Sequence, residues 1–258
     1  MKSIITITAA ALFASAPLGL VNAQSPSPSP ASAASPASGA KPAAEASPAA
    51  RTDVYRIQFA KAAAGKAAQM AENFKKPDPT APMPGHTLVL RHHQGEAWDY
   101  VEIEHLGTKA TIEAARPPVP PEERNLGDWH NDTYVNGPSW ADFTKAMGIS
   151  DDLKSKTAGS VYVVSTYRAV SGQRDALEKF LSEPPNRPSD TSVGDALMQH
   201  LDGSEWNFLT IARYNSWQEF ATNETNSVAD AAKNQGGWFK LREYIASHAD
   251  TVTVRIAP

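Results

Sequence analysis

The sequence predicts an α+β fold in which one strand-helix-strand-strand-helix-strand unit is used twice. Two observations carry that expectation. The stretch V-Y-R-I-Q-F-A-K-A-A-A-G from Val54 returns as V-Y-V-V-S-T-Y-R-A-V-S-G from Val161, which sets Val54, Tyr55 and Gly65 on Val161, Tyr162 and Gly172. Further on, L-R-H-H-Q-G-E-A-W-D-Y-V-E-I returns as M-Q-H-L-D-G-S-E-W-N-F-L-T-I, which sets His92, Gly95 and Trp98 on His200, Gly203 and Trp206. A repeat of this length means two copies of one unit.

The elements follow in order. Val54–Phe59, rich in branched and aromatic residues, reads as a strand. Gly65–Lys76 reads as a helix, with Ala67, Met70, Ala71 and Phe74 on one stripe and Pro77 as its stop. The second copy repeats this as Val161–Tyr167 and Gly172–Ser182, with Leu177 and Leu181 in the places of Met70 and Phe74 and Pro184-Pro185 as the stop. A hairpin comes next. His86–His93 and Trp98–His105 are joined through Gln94-Gly95-Glu96-Ala97, and the second copy is joined through Asp202-Gly203-Ser204-Glu205. Gly followed by a polar residue suits a tight turn with positive φ at the glycine. A turn on Gly95-Glu96 sets Arg91 opposite Tyr100, His92 opposite Asp99 and His93 opposite Trp98, and in the second copy His200 opposite Asn207. Ser216 and Glu219 form a capping box for a later helix, Trp238–His248 forms the last helix, and Thr251–Ile256 closes the copy as a strand. The first copy departs here. Ala110–Ala115 runs into the Pro117–Pro121 stretch, a loop reaches Pro138, and a helix occupies Trp140–Met147. No segment reads clearly as its fourth strand; Asp152–Ala158 is too polar.

A β-α-β-β-α-β unit is ferredoxin-like. Two such units in one chain, with their antiparallel sheets facing, resemble the dimeric α/β-barrel superfamily as a fused pseudo-dimer. The resemblance covers Val54–Ile256 and rests on element order and the repeated hairpin. It implies boundaries at 51–158 and 159–258. It also implies relatives as varied as small monooxygenases, isomerase-like, dehalogenase-like and haem-binding enzymes, so fold alone selects no reaction.

The ends and the composition bound the rest. Met1–Ala23 reads as a signal peptide, with Lys2 ahead of an apolar run and Val21-Asn22-Ala23 before the cut. Residues 24–50, with six prolines among serine and alanine, read as a disordered linker. The expected location is periplasmic or secreted. The absence of cysteine excludes disulfides, thiolate metal sites and cysteine nucleophiles. A formal net charge of −4 without a clustered basic stretch argues against nucleic acid or an anionic membrane as partner. A small-molecule ligand and a homo-oligomer remain open as partners.

Alternation sorts the first hairpin into two faces. Leu88, Leu90, His92, Asp99, Val101 and Ile103 form the apolar one, expected under the helices. Val89, Arg91, His93, Trp98, Tyr100, Glu102 and Glu104 form the other, expected to line a cavity between the two sheets. Arg91, His93, Trp98, Tyr100 and Glu102 are therefore the candidate ligand-binding residues. Arg suits a carboxylate, Tyr and His a proton transfer, and Glu102 a base. An Arg91–Glu102 ion pair without turnover is the plainer alternative. His92 and Asp99 form a second candidate pair, since a carboxylate beside imidazole raises its basicity. The return of the pair as His200 and Asn207 points instead to a cross-strand structural bond. Asp128-Trp129-His130-Asn131-Asp132 reads as a polar loop, because its spacing matches no zinc or iron site. No metal site and no cofactor are expected. Haem stays open through His105 and His248, where the resemblance places histidine ligands, although no C-x-x-C-H signature is present.

Three functions remain at this level. The first is an exported small-molecule-binding protein with a site between the two sheets. The second is a cofactor-free monooxygenase or isomerase-like enzyme, and the third is a structural or oligomerisation module.

Overall fold

A computed structural model describes residues 50–113, 120–183, 189–235 and 237–258. The expected signal peptide, nearly all of the linker, and the prolines at 117–118 and 184–185 lie outside the described residues. The chain runs β1 (Asp53–Ala62), α1 (Ala67–Phe74), β2 (Thr87–Gln94), β3 (Tyr100–Gly107), α2 (Lys109–Ile112), α3 (Pro121–Arg124), β4 (Gly127–Gly137) and α4 (Trp140–Met147). It continues through β5 (Val161–Ala169), α5 (Arg174–Ser182), β6 (Gly194–Asp202), β7 (Phe208–Tyr214), α6 (Trp217–Ala232), α7 (Trp238–Tyr244) and β8 (Ile245–Ala257).

All eight strands pair antiparallel in one sheet that closes on itself, in the order β1-β3-β2-β8-β5-β7-β6-β4. Read around the barrel, β4-β1-β3-β2 is followed by β8-β5-β7-β6. This is an α+β architecture, a closed antiparallel barrel with helices against its outer face. The expectation of two sheets facing each other needs correction, however. Their edges are joined, β2 to β8 and β4 to β6, so opposite walls of a single barrel face each other.

The hairpin registers are the expected ones. Arg91 lies opposite Tyr100 and Val89 opposite Glu102, and the amide of His92 donates to the carbonyl of Asp99 at 2.8 Å. Likewise the amide of His200 donates to the carbonyl of Asn207 at 2.9 Å. Gly95 and Gly203 have φ of +133° and +96°.

Two elements differ from expectation. The fourth strand of the first half is β4, in the stretch expected to be a polar loop. Its first residues are mostly exposed, and only Thr133, Val135 and Gly137 are buried. Pairing with β1 on one side and β6 on the other makes it a strand, which overrides a weak local preference. The last helix ends at Tyr244, and residues as far as His248 already pair with β5.

One apolar cluster joins side chains from both halves: Tyr55, Ile57, Leu88, Leu90, Val101 and Ile103 with Tyr162, Val164, Met198, Leu209 and Ile211, each no more than 2 % exposed. Side chains from opposite walls of a closed barrel meet only in its interior, so this cluster fills the barrel. An eight-stranded barrel is just wide enough to be filled in this way. Phe143 and Met147 of α4, both fully buried, belong to the same cluster, so α4 closes one end. Polar groups fasten that helix. Ser139 caps its first turn and Tyr55 donates its hydroxyl to Pro138 O. At the other end, Tyr162 donates to Met147 O, Arg213 to Ala146 O and Arg255 to Gly148 O. The two arginines sit where cations suit a helix C-terminus.

Helices α1, α5 and α7 cover the outer face. Met70 packs with Ala60, Ala62, Tyr100 and Leu126, while Leu177 packs with Phe208 and Ile245. The two faces are therefore the reverse of the sequence expectation: the most apolar face of the hairpin looks into the barrel, and the mixed face looks out under α1. Closure removes most of the inner face from water, whereas short helices leave the outer face half wet.

Candidate functional site

The five candidate residues do not share one site. Arg91 and Tyr100 do come together, on the outer face beside α1. They line an open groove of about 430 Å³ with Ala67, Ala68 and Ala71 of α1, Glu72 and Lys75 on its rim, and Ile256 of β8. Tyr100 is 3 % exposed, and its hydroxyl donates to Ala67 O at 2.7 Å. Burial pushes its phenol up, Asp99 adds to the shift, and Arg91 and Lys75 oppose it. The hydroxyl therefore stays protonated and occupied at neutral pH, and the residue contributes its ring rather than a proton. Lys75 and Glu72 form an exposed pair at 2.6 Å, which holds little energy. With Arg91 exposed beside them, the groove carries two cations against one carboxylate.

The groove exists because of three alanines. In the second half their places are taken by Arg174, Asp175 and Glu178, and the place of Tyr100 by Phe208. There the guanidinium of Arg174 lies 5.3 Å from the centre of the Phe208 ring, and Leu177 seals it from below, so Phe208 is fully buried. Among the described residues, the groove beside Tyr100 thus has no counterpart beside Phe208.

Glu102 pairs with Arg56, not Arg91. Arg56 Nη2 lies 2.8 Å from Glu102 Oε2, Nε 2.9 Å from Glu104 Oε2, and Nη1 3.7 Å from Asp132 Oδ1. Gln58 donates to Asp132 Oδ1 at 3.1 Å, and His130 Nδ1 sits 2.9 Å from Asp132 Oδ2. Burial raises the Glu102 carboxyl, Arg56 lowers it, and Glu104 and Asp132 raise it again, with a net shift upward. For Arg56, burial works against the charge, but the surrounding carboxylates outweigh it and the net shift is upward. The sequence reading placed Glu104 on the mixed face and Asp132 in a polar loop but did not join either to Arg56, because nothing local to the hairpin links them. Pairing β1 with β3, which the ferredoxin-like order implies, would have set Arg56 opposite Glu104.

His93 is exposed and lies against Trp217 of α6, with ring centres 4.6 Å apart. Trp98 leaves the face of Tyr100 and turns into the barrel, 5.4 Å from the ring of Phe59 and edge-on to His92. The cause is Asp99. Its amide donates to Ala60 O at 2.9 Å and its carboxylate accepts the amide of Ala62 at 2.8 Å, which bends the chain just ahead of β3. Asn207 repeats both bonds, to Tyr167 O at 2.8 Å and from the amide of Ala169 at 2.7 Å. The carboxylate of Asp99 is therefore a backbone acceptor and does not orient the ring of His92. Asp99→Ala is expected to cost about 1–2 kcal/mol by leaving the Ala62 amide unpaired. Asp99→Asn, which copies the second half, should leave the urea midpoint nearly unchanged.

Neither histidine considered for haem stands free. His105 is 4 % exposed, with Nδ1 3.0 Å from His86 Nδ1 and Nε2 2.9 Å from Asp53. His248 lies in β8, parallel to the Tyr167 ring and 3.5 Å from Asp250. Among the described residues no group of three or more His, Asp or Glu side chains is arranged to hold a metal ion. Within the same residues no helix is long and apolar enough to cross a membrane.

No protein-family model matches the chain, and no characterised protein matches it in sequence. Solved structures do match over most of its length. A proposed monooxygenase from Lactobacillus acidophilus has 9 % identity and a TM-score of 0.46, covering 80 % of this chain and 95 % of its own. An anthrone oxidase-like protein has 12 % identity and a TM-score of 0.49, covering 79 % and 92 %. A proposed chlorite dismutase has 9 % identity and a TM-score of 0.42, covering 80 % and 96 %.

Proposed function

We propose that this chain is an exported binding protein for a small organic anion, held in the groove between α1 and the β2–β3 hairpin. In this reading the chain is a duplicated ferredoxin-like unit, 51–158 and 159–258, delivered by a signal peptide and a disordered linker. The first copy has kept a groove that the second has filled. One observation carries the reading: Ala67, Ala68 and Ala71 leave open, beside Arg91 and Tyr100, a space whose counterpart over Phe208 is covered by Arg174 in the second half. The volume lies in the range of small-ligand sites. The alanines, Ile256 and the Tyr100 ring suit an apolar body, and Arg91 suits a carboxylate. The site lies outside the barrel, not between two sheets, because the interior is already packed with side chains. Each of the eight strands is paired on both sides, so none offers the free edge that an assembly module would use.

Calorimetric titration of benzoate and hexanoate, with benzylamine as the cationic control, tests this. The carboxylates should bind and the amine should not. Arg91→Ala should weaken benzoate binding about tenfold, a loss of about 1.4 kcal/mol. Ala67→Arg, which copies the second half onto an exposed helix position, should abolish binding while shifting stability by less than about 0.5 kcal/mol. Equal binding of amine and acid, or an unaffected Ala67→Arg protein, would refute the reading.

A further inference from the structure

At the end of the barrel closed by α4, a chain of polar groups runs from a carboxylate to a half-buried imidazole. Asp53 Oδ2 accepts the Nε2–H of His105 at 2.9 Å and the amide of Trp140, the first residue of α4, at 2.9 Å. His105 Nδ1 faces His86 Nδ1 at 3.0 Å. The Trp140 indole stacks on both imidazoles, at 4.5 Å and 9° to His86 and at 5.2 Å and 12° to His105. The Tyr55 ring lies 5.1 Å from that of His105.

The proton positions follow from this geometry. Asp53 requires a proton on His105 Nε2, so in the neutral ring Nδ1 is an acceptor and His86 Nδ1 must donate to it. His86 Nε2 can then take one further proton without disturbing the chain. A second added proton would have to go on His105 Nδ1, and would set N–H against N–H at 3.0 Å. The arrangement therefore admits one positive charge and not two.

We propose that Asp53, His105 and His86 form an acid-released latch on α4: when both imidazoles are protonated their contact breaks, and the N-terminus of α4 loosens from the mouth of the barrel. The charged and titratable groups around the pair are Asp53 and Tyr55 from β1, and Asp142 from α4, which acts on Tyr55. Burial, and next the proximity of His105, lowers the pKa of His86. A histidine with a lowered folded pKa contributes stability that is present above its unfolded value, about 6.5, and is lost as pH falls through the folded value. Release is therefore expected as pH falls below about 6.

Amide hydrogen exchange of the exported full-length protein, corrected for intrinsic rates, reads the latch. Protection at Ala141–Phe143 should fall at least tenfold from pH 7 to pH 5, while protection at Ile57 and Val164 holds. His86→Phe keeps a ring on Trp140 and removes the second imidazole, so its α4 protection should be independent of pH over that range. A flat profile in the unmodified protein, or an equal loss in His86→Phe, would overturn the proposal. Should His86→Phe be globally unstable, imidazole nitrogen chemical shifts decide the matter at pH 7. A proton on His86 Nδ1 and on His105 Nε2 supports the latch, and a proton on His105 Nδ1 refutes it.

Discussion

Replacing Arg56 by leucine is expected to destabilise the protein at pH 7 by about 3–5 kcal/mol, because it strands three partly buried carboxylates without their cation. Arg56 contacts Glu102, Glu104 and Asp132 and is itself 20 % exposed, so solvent screens the cluster only weakly. The pH dependence has a definite sign. The Glu102 carboxyl is already raised with Arg56 opposing the shift, and removing that opposition raises it further. A carboxyl with a raised folded pKa is best tolerated when protonated, so its cost is absent below the unfolded value near about 4.3 and grows as pH rises. Urea denaturation should therefore show a larger deficit for Arg56→Leu at pH 7 than at pH 5. A deficit below about 1 kcal/mol at pH 7 would mean that water already solvates the cluster.

Gly95→Val and Gly203→Val should each cost about 3 kcal/mol, the sum of backbone strain at positive φ and a clash with neighbouring backbone. A Cβ on Gly95 would stand 2.7 Å from Thr251 Cα, and one on Gly203 would stand 3.0 Å from Thr133 Cα. Each hairpin tip thus rests on the last strand of the other half. Glu96 donates its amide to Thr251 Oγ1 at 3.2 Å, and Thr133 donates its hydroxyl to Asp202 O at 2.8 Å. The repeated glycine is a closure device as well as a turn residue. Gly172→Ala is the control: φ is +79° but nothing lies within 4 Å of the added carbon, so strain alone, about 1 kcal/mol, should appear in the thermal midpoint.

Much of the frame was legible in the sequence. The repeat located both hairpins, and turn chemistry at Gly95 and Gly203 fixed their registers. The direction of the faces was not legible. Leu88, Leu90, Val101 and Ile103 form an apolar face that would suit helices equally well. Only the long-range seams, β2 with β8 and β4 with β6, turn that face inward. β4 was hidden for a related reason, since Trp129, His130 and Asn131 are exposed and its strand state comes from its partners. For the candidate site, strand alternation correctly joined Arg91 to Tyr100. It failed at Trp98, where the two bonds made by Asp99 break the alternation. The decisive alanines of α1 look unremarkable until Arg174 is seen lying over Phe208 in the equivalent place.

The most direct measurement is amide and side-chain chemical-shift mapping of the full-length protein during a benzoate titration. The expected shifts fall on Ala67, Ala71, Lys75, Arg91 and Tyr100, leave Ile57, Val101 and Leu209 unmoved, and vanish in Ala67→Arg. Shifts centred on the barrel interior, or shifts that persist in Ala67→Arg, would contradict a binding site on the outer face.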